Sequence, residues 1–164
     1  MTTNSQSKAP DSPRDAPNVV VLPPLLYGVA LAVGFLLQWI TPRALLSSSA
    51  RYWAGGVVLA LGLFVAAWGR RHMERAGTNV NPGLPTTALV VSGPFRFSRN
   101  PLYAALTLTY IGLALLANAF WVLVLLVPVL LVLHYGVVRR EERYLEAKFG
   151  EAYRQYRARV RRYL

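Results

Sequence analysis

Two short stretches carry the side chains best suited to chemistry. The first, SGPFRFSRNPLY from Ser92 to Tyr103, packs two Arg, two Pro and a Gly into twelve positions directly before an apolar run. Pro101 suits the first turn of a helix, so the amides of that helix start, beside Asn100 and flanked by Arg96 and Arg99, offer a place for an anion such as a carboxylate. The second stretch is Arg139, Arg140, Glu141, Glu142 and Arg143, at the end of another apolar run. Adjacent residues diverge by about 100° on a helix, so one of the two carboxylates can point inward where the other cannot. An inward Glu accepts hydrogen bonds from an ammonium or from hydroxyls. Together the two stretches could hold a zwitterion, although a cap of charged residues at a membrane interface would look similar.

The elements that would position these residues are apolar helices. Of 164 residues, 54% are hydrophobic, yet 18 Lys and Arg stand against 7 Asp and Glu, a formal net charge of +11. Greasy and basic together indicate a membrane protein. A nucleic-acid partner is not expected, because no reader motif accompanies the charge. With no cysteine and two histidines, His72 and His134, no metal site is expected either.

A bilayer-spanning helix needs about 20 mostly apolar residues. Four stretches qualify, at about 22–40, 52–68, 102–117 and 120–138. The third is short, but a turn at Asn118 folds it with the fourth into a hairpin whose backbone bonds stay internal. Pro128 should kink the fourth or be accommodated by a neighbouring helix, and Gly55, Gly56 and Gly62 suit close helix packing. The expected fold is therefore all-α and membrane-integral, with four transmembrane helices and a single domain over 19–164, preceded by a disordered tail over 1–18 that is rich in Ser, Pro, Thr and Asn. Lys and Arg are absent from the Asn118 turn and number nine after Val138. That bias puts the N-terminus, the second connection and the C-terminus in the cytoplasm.

Cytosolic helices are expected over about 139–162, broken at Gly150. The Tyr and Val face of the second would meet the acyl boundary, and its Arg residues the anionic headgroups. The connection from Gly77 to Asn100 is punctuated by Pro82, Pro85 and Pro94. It reads as a rigid, ordered loop, because Leu89, Val90, Val91, Phe95 and Phe97 want burial.

The combination TTALVVSGPFRFSRNPLY, a membrane hairpin, then EERYLEAKFGEAYRQY resembles the isoprenylcysteine carboxyl methyltransferase and phospholipid methyltransferase superfamily of integral membrane enzymes. That pattern includes Arg-His-Pro-x-Tyr, a helical hairpin, Glu-Glu and Phe-Gly-x-x-Tyr, and the likeness runs from Gly77 to Tyr163. The resemblance implies S-adenosyl-L-methionine bound at the cytosolic face and a lipophilic acceptor entering from the bilayer. By position it implies that the strand-like segment Thr87, Ala88, Leu89 and Val90 lines the cofactor with backbone groups and that Phe95 contacts it. Asn100, Pro101 and Tyr103 match further contacts, and Glu141 engages the cofactor, with Glu142 as the alternative one register away. Asn100 stands where the family has His, and Val137 where the eukaryotic prenylcysteine enzymes place an Arg that touches substrate.

A sulfonium methyl is already activated, so alignment and exclusion of water are the main demands on the protein. The catalytic residue therefore stays open. His134 is a candidate proton acceptor, against the alternative of a helix-to-helix hydrogen bond, and Arg139 or Arg140 is a candidate acceptor contact in place of the Arg missing at Val137. A phospholipid amine N-methyltransferase, or an inactive membrane scaffold of the same fold, are the alternative functions.

Overall fold

The computed structural model describes residues 16–163; the side chain of Ser48 is outside that description, as are residues 1–15 of the tail expected to be disordered over 1–18. Among the described residues, six α-helices follow in order: α1 (Pro23–Ile40), α2 (Ser48–Arg75), α3 (Pro101–Leu116), α4 (Phe120–Val132), α5 (Arg139–Phe149) and α6 (Glu151–Arg159). A 3-10 turn (Gly93–Arg96) precedes α3, and a π-helical segment (Leu133–Val138) joins α4 to α5. No strand occurs among the described residues. The expected strand-like segment from Thr87 to Val90 is irregular, since no second extended segment runs beside it to complete a ladder.

Among the described residues, three helices are long and apolar enough to cross a membrane: α1, α2, and the continuous helix from Phe120 to Phe149, whose apolar run ends at Val138. α3 is equally apolar but has 16 residues, about 24 Å at 1.5 Å per residue. Prolines start α1 and α3, where their missing N–H has no intrahelical partner to lose.

The tightest seam lies between α2 and α3 and depends on glycine. A Cβ on Gly62 would stand 2.7 Å from the Thr109 amide, and one on Gly112 would stand 2.6 Å from the Leu59 amide. Only hydrogen fits at those points, and the two backbones approach accordingly. Gly55 meets Leu116 in the same way, whereas Gly56 faces open space and takes no part in the packing.

The α3–α4 hairpin turns at Asn118, which adopts φ 52°. Its side chain accepts from the amides of Leu45 and Leu46 and donates to the Leu46 carbonyl, so the same residue ties down the α1–α2 connection. Inside the hairpin, the Tyr110 hydroxyl donates to the Val122 carbonyl at 2.7 Å. These links gather the α1–α2 connection and the Asn118 turn at one end of the bundle. The start of α3 and the start of α5 meet at the other. Large apolar side chains, among them Trp39, Trp53, Val57, Phe64 and Val127, cover the outer surface of the bundle, a distribution suited to lipid rather than water.

α6 departs from expectation. Gly150, at φ 53°, breaks the helix where the sequence indicates. However, Tyr153 and Tyr156 are 1% and 3% exposed, and the Tyr156 hydroxyl donates to the Phe95 carbonyl at 2.7 Å. The aromatic face of α6 is buried against the loop before α3 instead of facing an acyl boundary. Periodicity identifies an apolar face but not the surface that covers it.

Candidate active site

The two polar stretches, 38 residues apart at their closest link, meet in one cleft. Its walls are Met73 of α2, the loop segments 78–82 and 86–90 (without Thr87), Phe95, residues 99–103 at the start of α3, Glu141 and Leu145 of α5, and Tyr153 and Tyr156 of α6. The cleft encloses about 80 Å³.

The loop wall is held by its own cross-links. The Thr87 amide donates to Thr78 Oγ1 at 3.0 Å, Thr87 Oγ1 donates to the Gly77 carbonyl at 2.7 Å, and Asn79 Nδ2 donates to the Pro85 carbonyl at 2.7 Å. Thr87 therefore acts as a rivet behind the wall and does not line the cleft. Ala88, Leu89, Val90, Phe95, Asn100, Pro101, Tyr103 and Glu141 all do.

The adjacent glutamates separate as helix geometry requires. Glu141 Oε2 accepts from the Tyr103 hydroxyl at 2.6 Å and faces the cleft. Glu141 lies beyond the apolar run that ends at Val138. Burial pushes its carboxyl above the usual carboxylate range; the Tyr103 hydrogen bond partly offsets this, and the charge of Glu142 adds to it.

Glu142 turns away from the cleft and is 7% exposed. Arg99 reaches its Oε1 through Nε at 3.1 Å and Nη2 at 2.8 Å, while Arg162 reaches its Oε2 through Nε at 3.0 Å and Nη2 at 2.8 Å. Burial alone would raise this carboxyl, but the hydrogen bonds from Arg162 and Arg99, with their charges, hold it below the ordinary value. With two guanidinium nitrogens on each oxygen, Glu142 is a structural anchor. Its assignment as an alternative cleft ligand does not fit this geometry.

The anchor fastens the end of the chain. Arg99 Nη1 also donates to the carbonyls of Arg157 and Val160, and the Arg99 amide to that of Arg161. Ser98 Oγ and Asn100 Nδ2 both donate to the Arg162 carbonyl. Segment 160–163 is thus a strap laid across the start of α3. This changes the reading of that helix start. The Asn100 amide is taken by Ser98 Oγ, and those of Tyr103 and Ala104 by the Asn100 carbonyl, so most of the amides expected to meet an anion are already paired. The Asn100 side chain binds the strap at the rim of the cleft.

His134 and Arg139 are elsewhere. His134 Nδ1 lies 2.8 Å from the Tyr163 hydroxyl, and the Arg139 guanidinium sits 5.6 Å over the Tyr135 ring on the surface. His134 borders a second cavity, of about 500 Å³, lined by Tyr103, Ala104, Thr107, Leu108, Leu130, Leu131, Leu133, His134 and Tyr163. Tyr103 borders both spaces.

Sequence reasoning missed Arg99 and Arg162 as a clamp and Tyr153 as a wall residue. The Tyr153 hydroxyl is buried and has no hydrogen-bond partner among the described residues. Tyr153 and Tyr156, three apart just past Gly150, were the available signal for a buried face.

Comparisons with known proteins agree with the motif geometry. The phospholipid methyltransferase family pattern matches residues 50–152, which takes in α2, the loop, the hairpin and both glutamates. A protein of Haemophilus influenzae (strain ATCC 51907 / DSM 11121 / KW20 / Rd), named only as an uncharacterized protein, is 51% identical over 35 residues, covering 21% of this chain and 56% of that protein. The aligned part is thus just over half the length of that relative. No solved structure matches the chain. With most of its length matched and the matched motifs converging on one cleft, the chain belongs to the phospholipid methyltransferase family, a family of membrane methyltransferases.

Proposed function

We propose that the protein is an integral membrane methyltransferase that uses S-adenosyl-L-methionine and methylates a lipophilic acceptor. The observation that supports this most is the Tyr103–Glu141 hydrogen bond, which joins the two separated family motifs inside one cleft. In this reading α3 spans with the other three apolar helices, giving four spans. The cleft end then faces the cytoplasm, since Arg70, Arg71, Arg75, Arg96 and the basic C-terminal segment cluster there in the sequence.

The donor set suits an amino-acid-bearing nucleoside. Glu141 offers a carboxylate to its ammonium, the apolar side chains of Leu89, Val90 and Phe95 offer a surface to its base, and the unpartnered Tyr153 hydroxyl offers a donor or acceptor to its hydroxyls. Space is the constraint. The cleft's 80 Å³ is well below the roughly 300 Å³ or more of a drug-sized site, so a bound nucleoside would extend beyond it. When bound, the cofactor supplies an activated methyl group. The chain's own tasks are to orient it, exclude water, and bring the acceptor alongside from the second, apolar cavity.

The family match also favours a second reading, in which the acceptor is a phospholipid amine. Both enzymatic readings require cofactor binding. Titrating purified full-length protein in lipid nanodiscs with S-adenosylhomocysteine, followed by calorimetry, should give saturable one-site binding. Absence of binding defeats both and leaves an inactive scaffold of the same fold.

A further inference from the structure

The second cavity carries information on the acceptor. None of the nine residues that line it bears a fixed charge, and its polar groups are the hydroxyls of Tyr103, Thr107 and Tyr163 and the imidazole of His134. Among the described residues no arginine lines it: Arg99 and Arg162 are paired with Glu142, the Arg139 guanidinium lies over the Tyr135 ring, and Arg140 donates to the Asn18 carbonyl. An acceptor bringing a carboxylate or phosphodiester into this space would lose its hydration without gaining a cation, a cost of several kcal/mol. An uncharged head with a long apolar body incurs no such cost.

An uncharged nucleophile that still carries a proton must lose it during methylation, and the proton needs a destination. The nucleophilic atom has to sit where the two spaces adjoin, because the donor belongs to the cleft and the acceptor to the second cavity. Tyr103 is the residue that borders both, and its hydroxyl is already hydrogen-bonded to Glu141 at 2.6 Å. His134 borders only the second cavity and is tied to Tyr163.

Resting on the function proposed above, we propose that the acceptor is an uncharged amphiphile bearing a thiol or hydroxyl, and that Tyr103 relays its proton to Glu141. In the step, the acceptor proton passes to the Tyr103 oxygen as the Tyr103 proton passes to the Glu141 carboxylate. The electron pair left on the acceptor sulfur or oxygen forms the new bond to the methyl carbon. The pair of the broken carbon–sulfur bond stays on the donor sulfur, which changes from sulfonium to neutral thioether. Burial raises the Glu141 carboxyl in the ligand-free protein, and because Tyr103 occupies only Oε2, Oε1 is left for the cofactor's ammonium while Oε2 takes the proton.

The test uses full-length protein in phosphatidylcholine nanodiscs. In donor-free protein, radiolabelled 4-octylphenol should bind saturably and resist competition by palmitate. With methyl-labelled S-adenosylmethionine, label should appear on 4-octylphenol or dodecanethiol at ten times or more the rate on palmitate or phosphatidylethanolamine. Tyr103→Phe keeps the ring that walls both spaces, so its affinities for S-adenosylhomocysteine and 4-octylphenol should stay within threefold while kcat falls about 100-fold, the lower end of a general acid–base contribution. Preferential labelling of palmitate or phosphatidylethanolamine, or no label on either thiol or phenol, overturns the proposal. So does a folded Tyr103→Phe variant of normal kcat, or a His134→Phe variant that loses more than it. The acceptor panel on the unmodified chain decides the substrate class even if Tyr103→Phe does not fold. Failure of the wild-type chain to bind S-adenosylhomocysteine sinks the methyltransferase reading itself; binding with label on a charged lipid sinks only this one.

Discussion

Glu141 and Glu142 are neighbours in sequence with opposite fates. One faces a cleft with a tyrosine hydroxyl as its hydrogen-bond partner; the other is enclosed by two guanidiniums. Their carboxyls are displaced in opposite directions, Glu141 upward and Glu142 downward. A helix turn of about 100° between successive residues is enough to separate a side chain that faces the cleft from one held in a structural clamp. The pair also explains why the motif needs both: Glu142 holds Arg99 and the terminal strap in place, and that arrangement fixes the start of α3, from which Tyr103 reaches Glu141.

The largest effect should follow from breaking the buried side of this pair. Glu142→Ala leaves Arg99 buried without its counter-charge, and removal of one partner from a buried ion pair costs about 3–5 kcal/mol. Urea-induced unfolding in detergent should report a loss of that order, along with exposure of segment 160–163 to limited proteolysis. A loss below about 1 kcal/mol would mean that the clamp is a surface pair of ordinary strength.

The same contrast gives a pH test with opposite signs. Glu142 has a folded value below its unfolded one, so its stabilisation is present above the unfolded carboxylate value of about 4.3 and is lost as pH falls through the folded value. Glu141 has a folded value above its unfolded one, so its contribution is present below about 4.3 and is lost as pH rises through the folded value. Glu142→Gln should therefore flatten the acid limb of the stability profile, and Glu141→Gln should instead reduce the decline on its rising-pH side. Identical profiles for the two variants would erase the distinction between them.

A smaller effect is expected on the open side. Glu141→Ala removes one hydrogen bond from Tyr103 and no ion pair, so the unfolding midpoint should move little. Affinity for S-adenosylhomocysteine should weaken about tenfold or more, since a hydrogen bond to a charged group is worth about 1.5–3 kcal/mol. Unchanged affinity in a folded variant would remove Glu141 from the binding role.

Much of this architecture could be read from the chain because apolar length, proline and glycine act locally. The limits of α1, the Asn118 turn, the start of α3 at Pro101 and the break at Gly150 all follow from such signals. The π-helical segment from Leu133 to Val138 did not, and the Gly136 carbonyl within it accepts from the Val20 amide, a partner more than a hundred positions away. Thr87 was misplaced for a similar reason. Its side chain is drawn to the Gly77 carbonyl and its amide to Thr78, and no local rule tells which face of an irregular loop turns toward a cleft. The burial of Tyr153 and Tyr156 depended on which surface α6 meets, which periodicity leaves open.

Tyr153 provides the finest probe of the two sides, because it borders the cleft yet carries a hydroxyl without a partner. A buried, unsatisfied polar atom costs about 1–3 kcal/mol relative to a satisfied one, so deleting it should not destabilise the free protein. Tyr153→Phe should leave the unfolding midpoint of the ligand-free protein equal or raise it. If the hydroxyl is held in reserve for the ligand, the same variant should bind S-adenosylhomocysteine about fivefold more weakly, a loss of about 1 kcal/mol. Stability and affinity would then move in opposite directions, as expected of a group placed for binding at the expense of the empty fold. Lower stability with unchanged affinity would instead make Tyr153 part of the clamp around Glu142, and the boundary between the two regions would have to be redrawn to place α6 wholly on the structural side.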